Sequence, residues 1–355
     1  MDDPIKNMEV GMTGEVTGPM RAVVHDHHGD PRQVLRLAQL PPVGAPGPGE
    51  VSIRVTVRPA HPGDLLGITG GGGPAGSAGK PRIPGFDGAG VVVAVGRDVV
   101  DLQPGQRVAF FPVPGAWAEH VIASASAVVP VPDEIDDSTA ALMLVNPLTM
   151  QMLLRALDEA WAGTPRPFVQ TAAGSSVGRL IAAAAERHDF PLVNLVRSAA
   201  GAGALTERFP SLTTISTSEP DWPARMRDAL GEPASVVLDA VGGALATNLL
   251  AGLADGGSLI SYGRLSGSSV SLGATDVVGR ELRTRGVSIG RWGRLDAELR
   301  REDVAFALAT AQARPDLFGV AASYDLADFA NAVDEVGRPG KVGTVLLTSP
   351  TEQPA

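Results

Sequence analysis

The sequence predicts an α/β protein in which a doubly wound parallel sheet accompanies a second, mostly antiparallel β domain. Its 355 residues exceed what one hydrophobic core usually serves, which favours two domains. Short strands separated by Gly and Pro run from Met20 to about Pro132, whereas strands and helices alternate from Pro167 onward. This alternation implies parallel pairing, because a parallel crossover needs a connection about as long as a helix.

Composition narrows the function classes. A net charge of −10 argues against a nucleic-acid partner, because neutralising phosphates needs clustered Lys and Arg. No apolar run reaches the roughly 18 residues of a membrane helix, and the first residues lack the apolar stretch of a signal peptide. We therefore expect a cytoplasmic protein without a membrane partner. The lack of cysteine excludes disulfides and thiolate zinc sites, and the histidines near Gly29 favour a solvated hairpin, so we expect no metal.

The first region is predicted as a tail followed by strands. Residues 1–19 are polar and without periodicity, which is typical of a loose tail. Turn signals such as Gln103-Pro104-Gly105 separate the apolar runs that follow. Examples of the predicted strands are 21–24, 51–57, 90–95, 106–111 and 118–123. The glycine-rich stretch at 70–79 is predicted as a flexible loop between elements.

The hydrophobic period changes at residue 137. Apolar residues at helical spacing from 137 to 160 predict a helix that Pro147 breaks. Beyond it, strands are predicted at 168–171, 192–197, 213–216, 236–239, 258–263 and 285–289, with helices such as 177–187 and 222–230 between them. From 295 to 347 we expect two helices and a last strand, at 344–347, that returns to the first domain.

The segment after the strand at 168–171 has the pattern of a dinucleotide-binding turn. Small residues are needed there at three points, for a tight turn, for close approach of the pyrophosphate and for helix–strand packing, and Ala173, Ser175 and Gly178 occupy them. One Gly of three is a weak motif, and an ordinary strand-to-helix turn is the alternative. Strand and helix on either side favour a Rossmann unit over about 166–197. The predicted cofactor contacts are Gly174, Ser175, Ser176, Val177 and Gly178.

The end of the following strand indicates NADPH rather than NADH. NADH sites place Asp or Glu there for the ribose hydroxyl, but this chain has no carboxylate between Arg197 and Glu207. Arg197 can pair bidentately with the 2′-phosphate of NADPH, and Ser198 can donate a further hydrogen bond. An exposed arginine at a strand end is common, so the preference depends on this position and on the missing acid together.

Several short segments recur in a recognisable order between Met20 and Leu347. They are His28-Gly29-Asp30-Pro31, Pro62-Gly63-Asp64, Val145-Asn146-Pro147-Leu148-Thr149, Val196-Arg197, Val241-Gly242-Gly243, Ser261-Tyr262-Gly263 and Leu282-Arg283-Thr284-Arg285-Gly286. In this order they resemble the medium-chain dehydrogenase/reductase superfamily, most closely its mitochondrial-type enoyl thioester reductases, with quinone oxidoreductases next. His61 stands where that group usually has Asn.

The resemblance implies a domain plan and roles for single residues. It gives a GroES-like catalytic domain at 20–145 and 293–349 and a Rossmann NADPH-binding domain at 146–292. The implied catalytic residues are Asn146, Thr149, Asp64 and Trp292, and the further cofactor contacts are Tyr262, Gly263 and Lys341. Considered singly, Asn146 is also readable as a helix cap, Thr149 as solvent-facing and Trp292 as packing. We expect a homodimer.

The resemblance also implies the reaction class, which is hydride transfer to an activated C=C bond of an enone or enoyl thioester. Phe86 replaces the zinc-binding histidine of metal-dependent relatives, so hydrogen-bond donors must stabilise the charge on the substrate carbonyl. The family's tyrosine position is Gly72 here, and the proton must therefore come from elsewhere. Two alternatives stay open: an NADPH:quinone oxidoreductase, whose substrate oxygens take protons from water, and an NADPH-binding protein without turnover.

Overall fold

The computed structural model describes residues 18–70 and 81–350. The tail predicted at 1–19 lies almost wholly outside the described residues, and so does most of the glycine-rich loop, Gly72 included. Along the two described ranges, no helix has both the length and the apolar character needed to cross a membrane.

The chain before residue 143 forms short strands with brief helices between them. The strands are β1 (Met20–Val24), β2 (Arg36–Leu40), β3 (Glu50–Ala60), β4 (Gly88–Val95), β5 (Arg107–Phe110), β6 (His120–Ser124) and β7 (Val128–Pro130). The helices are α1 (Pro31–Val34), α2 (Pro62–Ile68) and α3 (Asp137–Leu142). Strands β1 and β2 pair with each other, and β3 pairs antiparallel with both β4 and β6. The mostly antiparallel domain is therefore confirmed.

A long helix, α4 (Val145–Trp161), leads into alternating strands and helices. The strands are β8 (Phe168–Gln170), β9 (Leu192–Val196), β10 (Thr213–Ser216), β11 (Ala234–Asp239), β12 (Leu253–Ser261) and β13 (Arg283–Gly286). The helices are α5 (Ser176–His188), α6 (Ala199–Arg208), α7 (Trp222–Leu230), α8 (Gly243–Ala251) and α9 (Ala274–Gly279). In the described residues the strands form one parallel sheet in the order β10-β9-β8-β11-β12-β13, which confirms the doubly wound prediction.

The last part of the chain returns to the β domain. It contains α10 (Ala297–Ala313), β14 (Val320–Asp325), α11 (Phe329–Gly337) and β15 (Thr344–Thr348). Strand β15 pairs antiparallel with β3, with Val345 opposite Ala60, and parallel with β14. The β domain is thus completed by residues from both ends of the chain, as the sequence predicts for the strand at 344–347.

Three details differ from the sequence predictions. Pro147 does not break the helix: the break lies at Met143 and Leu144, and Pro147 occupies the first turn of α4, where a missing N–H costs no intrahelical hydrogen bond. Strand β13 begins two residues and ends three residues before the predicted 285–289, and Ile289 instead opens a short 3-10 helix, Ile289–Arg294. Strand β14 was not predicted at all, since its sequence lacks a regular apolar alternation.

A single hydrophobic cluster continues from the β domain into the parallel sheet. Helix α4 contributes Leu148, Leu153 and Leu157 to it, and the cluster reaches Phe111 on one side and Phe168 on the other. Because these side chains are almost fully buried, the cluster fixes the relative position of the two sheets. The start of α5, which follows β8, consequently lies against the start of β15, where the hydroxyls of Ser176 and Thr344 are 2.9 Å apart.

Candidate active site

The turn between β8 and α5 has the geometry that pyrophosphate binding needs. Ser175 caps the helix by accepting a hydrogen bond from the Gly178 amide at 3.1 Å. A Cβ on Gly178 would lie 2.6 Å from the Ala173 carbonyl oxygen, so only glycine allows this close contact. The residue with positive φ is Ala172, at 50°, and not Ala173, to which we assigned the tight turn.

Three amides of this turn point to an anionic ligand. Among the described residues, nothing accepts a hydrogen bond from the backbone N–H groups of Gly174, Ser176 and Val177. They lie at the start of α5, a helix of 13 residues, where the helix dipole adds a partial positive charge. A pyrophosphate would satisfy these donors, so the donor set fits a dinucleotide.

Tyr262 and Gly263 follow β12 and lie next to the same turn. The Tyr262 hydroxyl is buried and has no hydrogen-bond partner among the described residues, although the Ser175 side chain lies near it. Burial raises the pKa of Tyr262, which keeps the phenol neutral. A Cβ on Gly263 would lie 2.7 Å from the Ala240 carbonyl oxygen, so glycine is required for the two strand ends to meet.

The end of β9 presents the predicted cation. Arg197 is exposed, and within the described ranges its guanidinium has no hydrogen bond or ion pair. Ser198 caps α6 by accepting a hydrogen bond from the Gly201 amide at 3.2 Å, which leaves its hydroxyl hydrogen free to donate. Both residues are therefore available to a phosphate at this strand end.

Asn146 and Thr149 lie in the first turns of α4, and both are buried. The Thr149 hydroxyl donates to the Val145 carbonyl at 2.6 Å, so the reading of Thr149 as solvent-facing is wrong. Leu144 occupies the N-cap position, and the Asn146 side chain makes no hydrogen bond to any described residue. A buried amide without a protein partner is a candidate ligand contact.

Trp292 is buried, and a hydrogen bond from its indole N–H fixes the position of the ring. Its indole N–H donates to Asp303 at 2.9 Å, and Asp303 also accepts two hydrogen bonds from Arg155, at 2.7 and 2.9 Å. The indole packs on the Phe111 ring, with centroids 5.8 Å apart. The indole N–H is therefore occupied, and Trp292 offers an apolar ring and no donor.

A cluster of three titratable side chains lies where β3 ends. The Nε2 atom of His61 is 3.1 Å from Oδ2 of Asp87, and the His61 backbone N–H donates to Asp64 at 2.8 Å. Burial opposes a charge on the His61 ring, but the Asp87 carboxylate outweighs it and raises the pKa of His61 to about 9. Burial raises the pKa of Asp64 to about 7 against the opposing His61 charge, and it also raises the pKa of Asp87.

Residues 341–344 connect the cluster of His61, Asp64 and Asp87 with the turn between β8 and α5, which we call the cofactor turn. The Thr344 hydroxyl lies 2.9 Å from the Ser176 hydroxyl at the start of α5. Lys341 donates to the Gly343 carbonyl at 2.9 Å, and its charge reaches both His61 and Arg179. Burial lowers the pKa of Lys341. Lys341 is therefore close to both the acid cluster and Arg179 of α5.

Sequence reasoning identified Asp64 but not the pair of His61 and Asp87. Histidine in place of asparagine at position 61 and a carboxylate directly after Phe86 were the available signals, 26 residues apart. Across the described residues, no three His, Asp or Glu side chains are arranged as a metal site.

Comparison with known proteins identifies a matching domain family and several relatives of this chain. Residues 47–133 match the alcohol dehydrogenase GroES-like domain. The chain is 28% identical over 341 residues to the human mitochondrial enoyl-[acyl-carrier-protein] reductase, covering 93% of this chain and 88% of the relative. The Arabidopsis thaliana protein of the same name is 30% identical over 77% of this chain and 73% of its own length. A Bacillus thuringiensis structure, provisionally described as an NADPH:quinone reductase, superposes with a TM-score of 0.81 at 30% identity, covering 94% of this chain and 100% of its own.

Proposed function

We propose a reductase function for this chain, which belongs to the enoyl reductase and quinone oxidoreductase group of the medium-chain dehydrogenase/reductase superfamily. The reaction is NADPH-dependent reduction of an activated C=C bond in an enone or enoyl thioester. The observation that carries the proposal is the turn at the start of α5, whose free amides lie beside the end of β9, which leads into Arg197, and beside the buried Tyr262 hydroxyl. The relatives named as enoyl reductases support the substrate class.

Each part of NADPH has matching groups in the chain. The amides of Gly174, Ser176 and Val177 suit the pyrophosphate, and Arg197 with Ser198 suits the 2′-phosphate. The unpaired Asn146 amide and Tyr262 hydroxyl suit the nicotinamide end. When bound, the nicotinamide supplies a hydride. The buried donors of the chain then orient the substrate and stabilise the charge that develops on its carbonyl oxygen.

The cofactor assignment is tested at Arg197. We expect the wild type to bind NADPH at least about tenfold tighter than NADH, because a charge-assisted pair contributes about 1.5–3 kcal/mol. Arg197→Ala should abolish most of that preference by weakening NADPH alone. Arg97→Ala, which removes an exposed arginine of the β domain, is the matched control and should change neither affinity. Titration calorimetry measures all six dissociation constants, and equal dissociation constants in the wild type would contradict the assignment.

Quinone reduction is the second candidate, and two observations favour it. Gly72 stands at the family's tyrosine position, and quinone oxygens need no positioned acid. The Bacillus thuringiensis structure also has a quinone reductase description. Anaerobic NADPH oxidation with cyclohexenone, crotonyl-CoA and naphthoquinone separates the readings: oxidation by naphthoquinone alone favours the quinone reductase. Tight NADPH binding without oxidation by any of the three would indicate a binding protein.

We also propose that the chain forms a homodimer through β13. This strand is the edge of the parallel sheet, and all four of its residues are exposed. An unpaired strand edge is a ready surface for a second strand. Val277 and Val278, in the segment that leads into β13, are exposed apolar residues that a partner would cover.

A further inference from the structure

We propose that the pair of His61 and Asp87 supplies the proton that the substrate takes after hydride transfer. The inference rests on the proposed reductase function and concerns a group that this function requires. Reduction of a C=C bond leaves an enolate that must be protonated, whereas the oxygens of a reduced quinone exchange protons with water. Because position 72 is glycine, the tyrosine of related proteins is not available for this step.

The pair has the geometry of an acid held by a second group. The His61 ring meets Asp87 through Nε2 at 3.1 Å, and it stacks on Phe86 with ring centroids 5.8 Å apart and planes inclined by 16°. The Asp87 side chain is 2% exposed, whereas that of His61 is 11% exposed. The carboxylate is therefore shielded, and the imidazole is the member of the pair that reaches the solvent side.

The position of His61 relative to the cofactor turn follows from strand pairing. Ala60 is opposite Val345 in the antiparallel pairing of β3 with β15. Because the two strands run in opposite directions, His61, directly after Ala60, lies at the same end of the pairing as Thr344, directly before Val345. The Thr344 hydroxyl lies 2.9 Å from Ser176, the first residue of the cofactor helix. One side-chain contact thus separates the strand end that carries His61 from the helix that would hold the pyrophosphate.

A row of aromatic rings extends from the pair to Trp292, which the family resemblance implies is a catalytic residue. Phe86, which stacks on His61, meets Phe111 at 6.0 Å between centroids, and Phe111 meets Trp292 at 5.8 Å. The row provides an apolar wall and no acid. His61, which stacks on Phe86, brings a transferable proton to one end of this wall.

The charges around His61 favour a protonated ring. Asp87 and Asp64 attract the positive charge, and Lys341 repels it. Asp87 outweighs the opposing burial, and the pKa of His61 is about 9. At neutral pH the ring is consequently an imidazolium, the form that can donate.

The step balances without a further reactant. A hydride leaves the nicotinamide and bonds to the β-carbon, and the C=C electron pair moves to give the enolate. The enolate α-carbon then takes a proton as an N–H bond of the His61 imidazolium breaks. The neutral ring stays hydrogen-bonded to Asp87 and regains a proton from water.

The first test compares two substrates in three proteins. We expect His61→Asn to lower kcat for cyclohexenone by about 10²-fold, because general acids contribute about 10²–10⁴-fold, and to leave naphthoquinone reduction nearly unchanged. His188→Asn, at an exposed histidine, is the matched control and should alter neither rate. Equal losses with both substrates would show that His61 positions the cofactor, and no loss with either would show that it is dispensable. Both outcomes would overturn the proposal.

The central part of the second test uses the wild type alone, and its NMR measurement needs no turnover. In the wild type, kcat/KM for cyclohexenone should fall above about pH 9 while that for naphthoquinone stays level, and NMR of the free protein should show His61 titrating near 9. Asp87→Asn should move both observations to lower pH. A His61 pKa at or below 6.5 in the wild type would overturn the proposal. NADPH binding without oxidation by either compound would overturn the proposed function, whereas turnover indifferent to His61 would overturn this inference alone.

Discussion

Ala172 is the residue at which the cofactor turn is most strained. Its φ of 50° lies in the left-handed region, where a Cβ costs about 1–2 kcal/mol. The neighbouring Ala173 is fully buried and has no positive φ. The sequence pattern predicted the existence of the turn, but it placed the tight conformation one residue too late, because both positions are alanine and neither side chain distinguishes them.

We expect Ala172→Gly to raise the free energy of unfolding by about 0.5–1 kcal/mol. Glycine removes the steric cost of the left-handed backbone, and its greater freedom in the unfolded chain cancels only part of that gain. Ala173→Gly is the matched control and should lower stability, because it removes a buried methyl group without relieving strain. Urea unfolding of the cofactor-free protein measures both changes. A loss of stability in Ala172→Gly would show that the backbone there is not strained.

The pair of His61 and Asp87 marks the limit of prediction from single residues. Arg197 and Ser198 could be identified because the strand end that carries them is set by local apolar pattern. The contact of His61 with Asp87 depends instead on the pairing of β3 with β4, which α2 and the residues after it separate in the chain, and no local pattern specifies which side chains meet there.

Helix α4 shows which parts of an element the sequence specifies. Its apolar spacing predicted a helix over most of 145–161, but Pro147 was taken as a breaker although it is tolerated in the first turn. Strand β14 was missed for a different reason. Its residues are partly exposed and weakly apolar, and it exists because β15 offers it a backbone to pair with, which is a tertiary effect.

Asp303 connects α10 with α4 and with the 3-10 helix that carries Trp292, so its loss should loosen all three. Its side chain is 2% exposed and accepts two hydrogen bonds from Arg155 and one from the indole. We expect Asp303→Ala to lower the free energy of unfolding by about 2–3 kcal/mol. This loss is smaller than the roughly 3–5 kcal/mol typical of removing one partner of a buried ion pair, because the Arg155 side chain is 31% exposed.

Two further measurements make the Asp303 prediction specific. Asp334→Ala removes the exposed partner of Arg32 and should change stability by less than about 0.5 kcal/mol. In Asp303→Ala, KM for cyclohexenone should rise more than that for NADPH, because Trp292 packs on Phe111 of the β domain and not on the turn between β8 and α5. Similar stability in the two variants would mean that the Arg155 contact is replaced by solvent.

The molecule assembles its candidate site from both ends of the chain. The β domain provides His61 and Asp87, the parallel sheet provides the turn after β8, and β15 connects them through Thr344. The sequence predicted each of these elements and the return of the last strand. It did not predict that Lys341 would come within electrostatic reach of His61, because that depends on how the shared hydrophobic cluster positions the two sheets.

The homodimer proposal predicts that the protein migrates at twice the mass of one chain in size-exclusion chromatography with light scattering. In a two-fold dimer β13 would pair antiparallel with its own copy and continue the sheet. A hollow of about 370 Å³ beside β13, lined partly by Leu272 and Thr284, gives such a partner apolar surface to fill.

Val278→Lys tests this interface, because the side chain is 78% exposed in the segment that leads into β13. A lysine there would place two like charges near the two-fold axis, and burying them should shift the equilibrium towards monomer by at least about tenfold in Kd. Val100→Lys is the matched control, at a valine that is 87% exposed in the β domain, and it should leave the mass unchanged. NADPH binding should persist in both variants, since neither residue belongs to the cofactor turn. A wild-type monomer at micromolar concentration would contradict the proposal, as would a dimer that Val100→Lys and Val278→Lys affect equally.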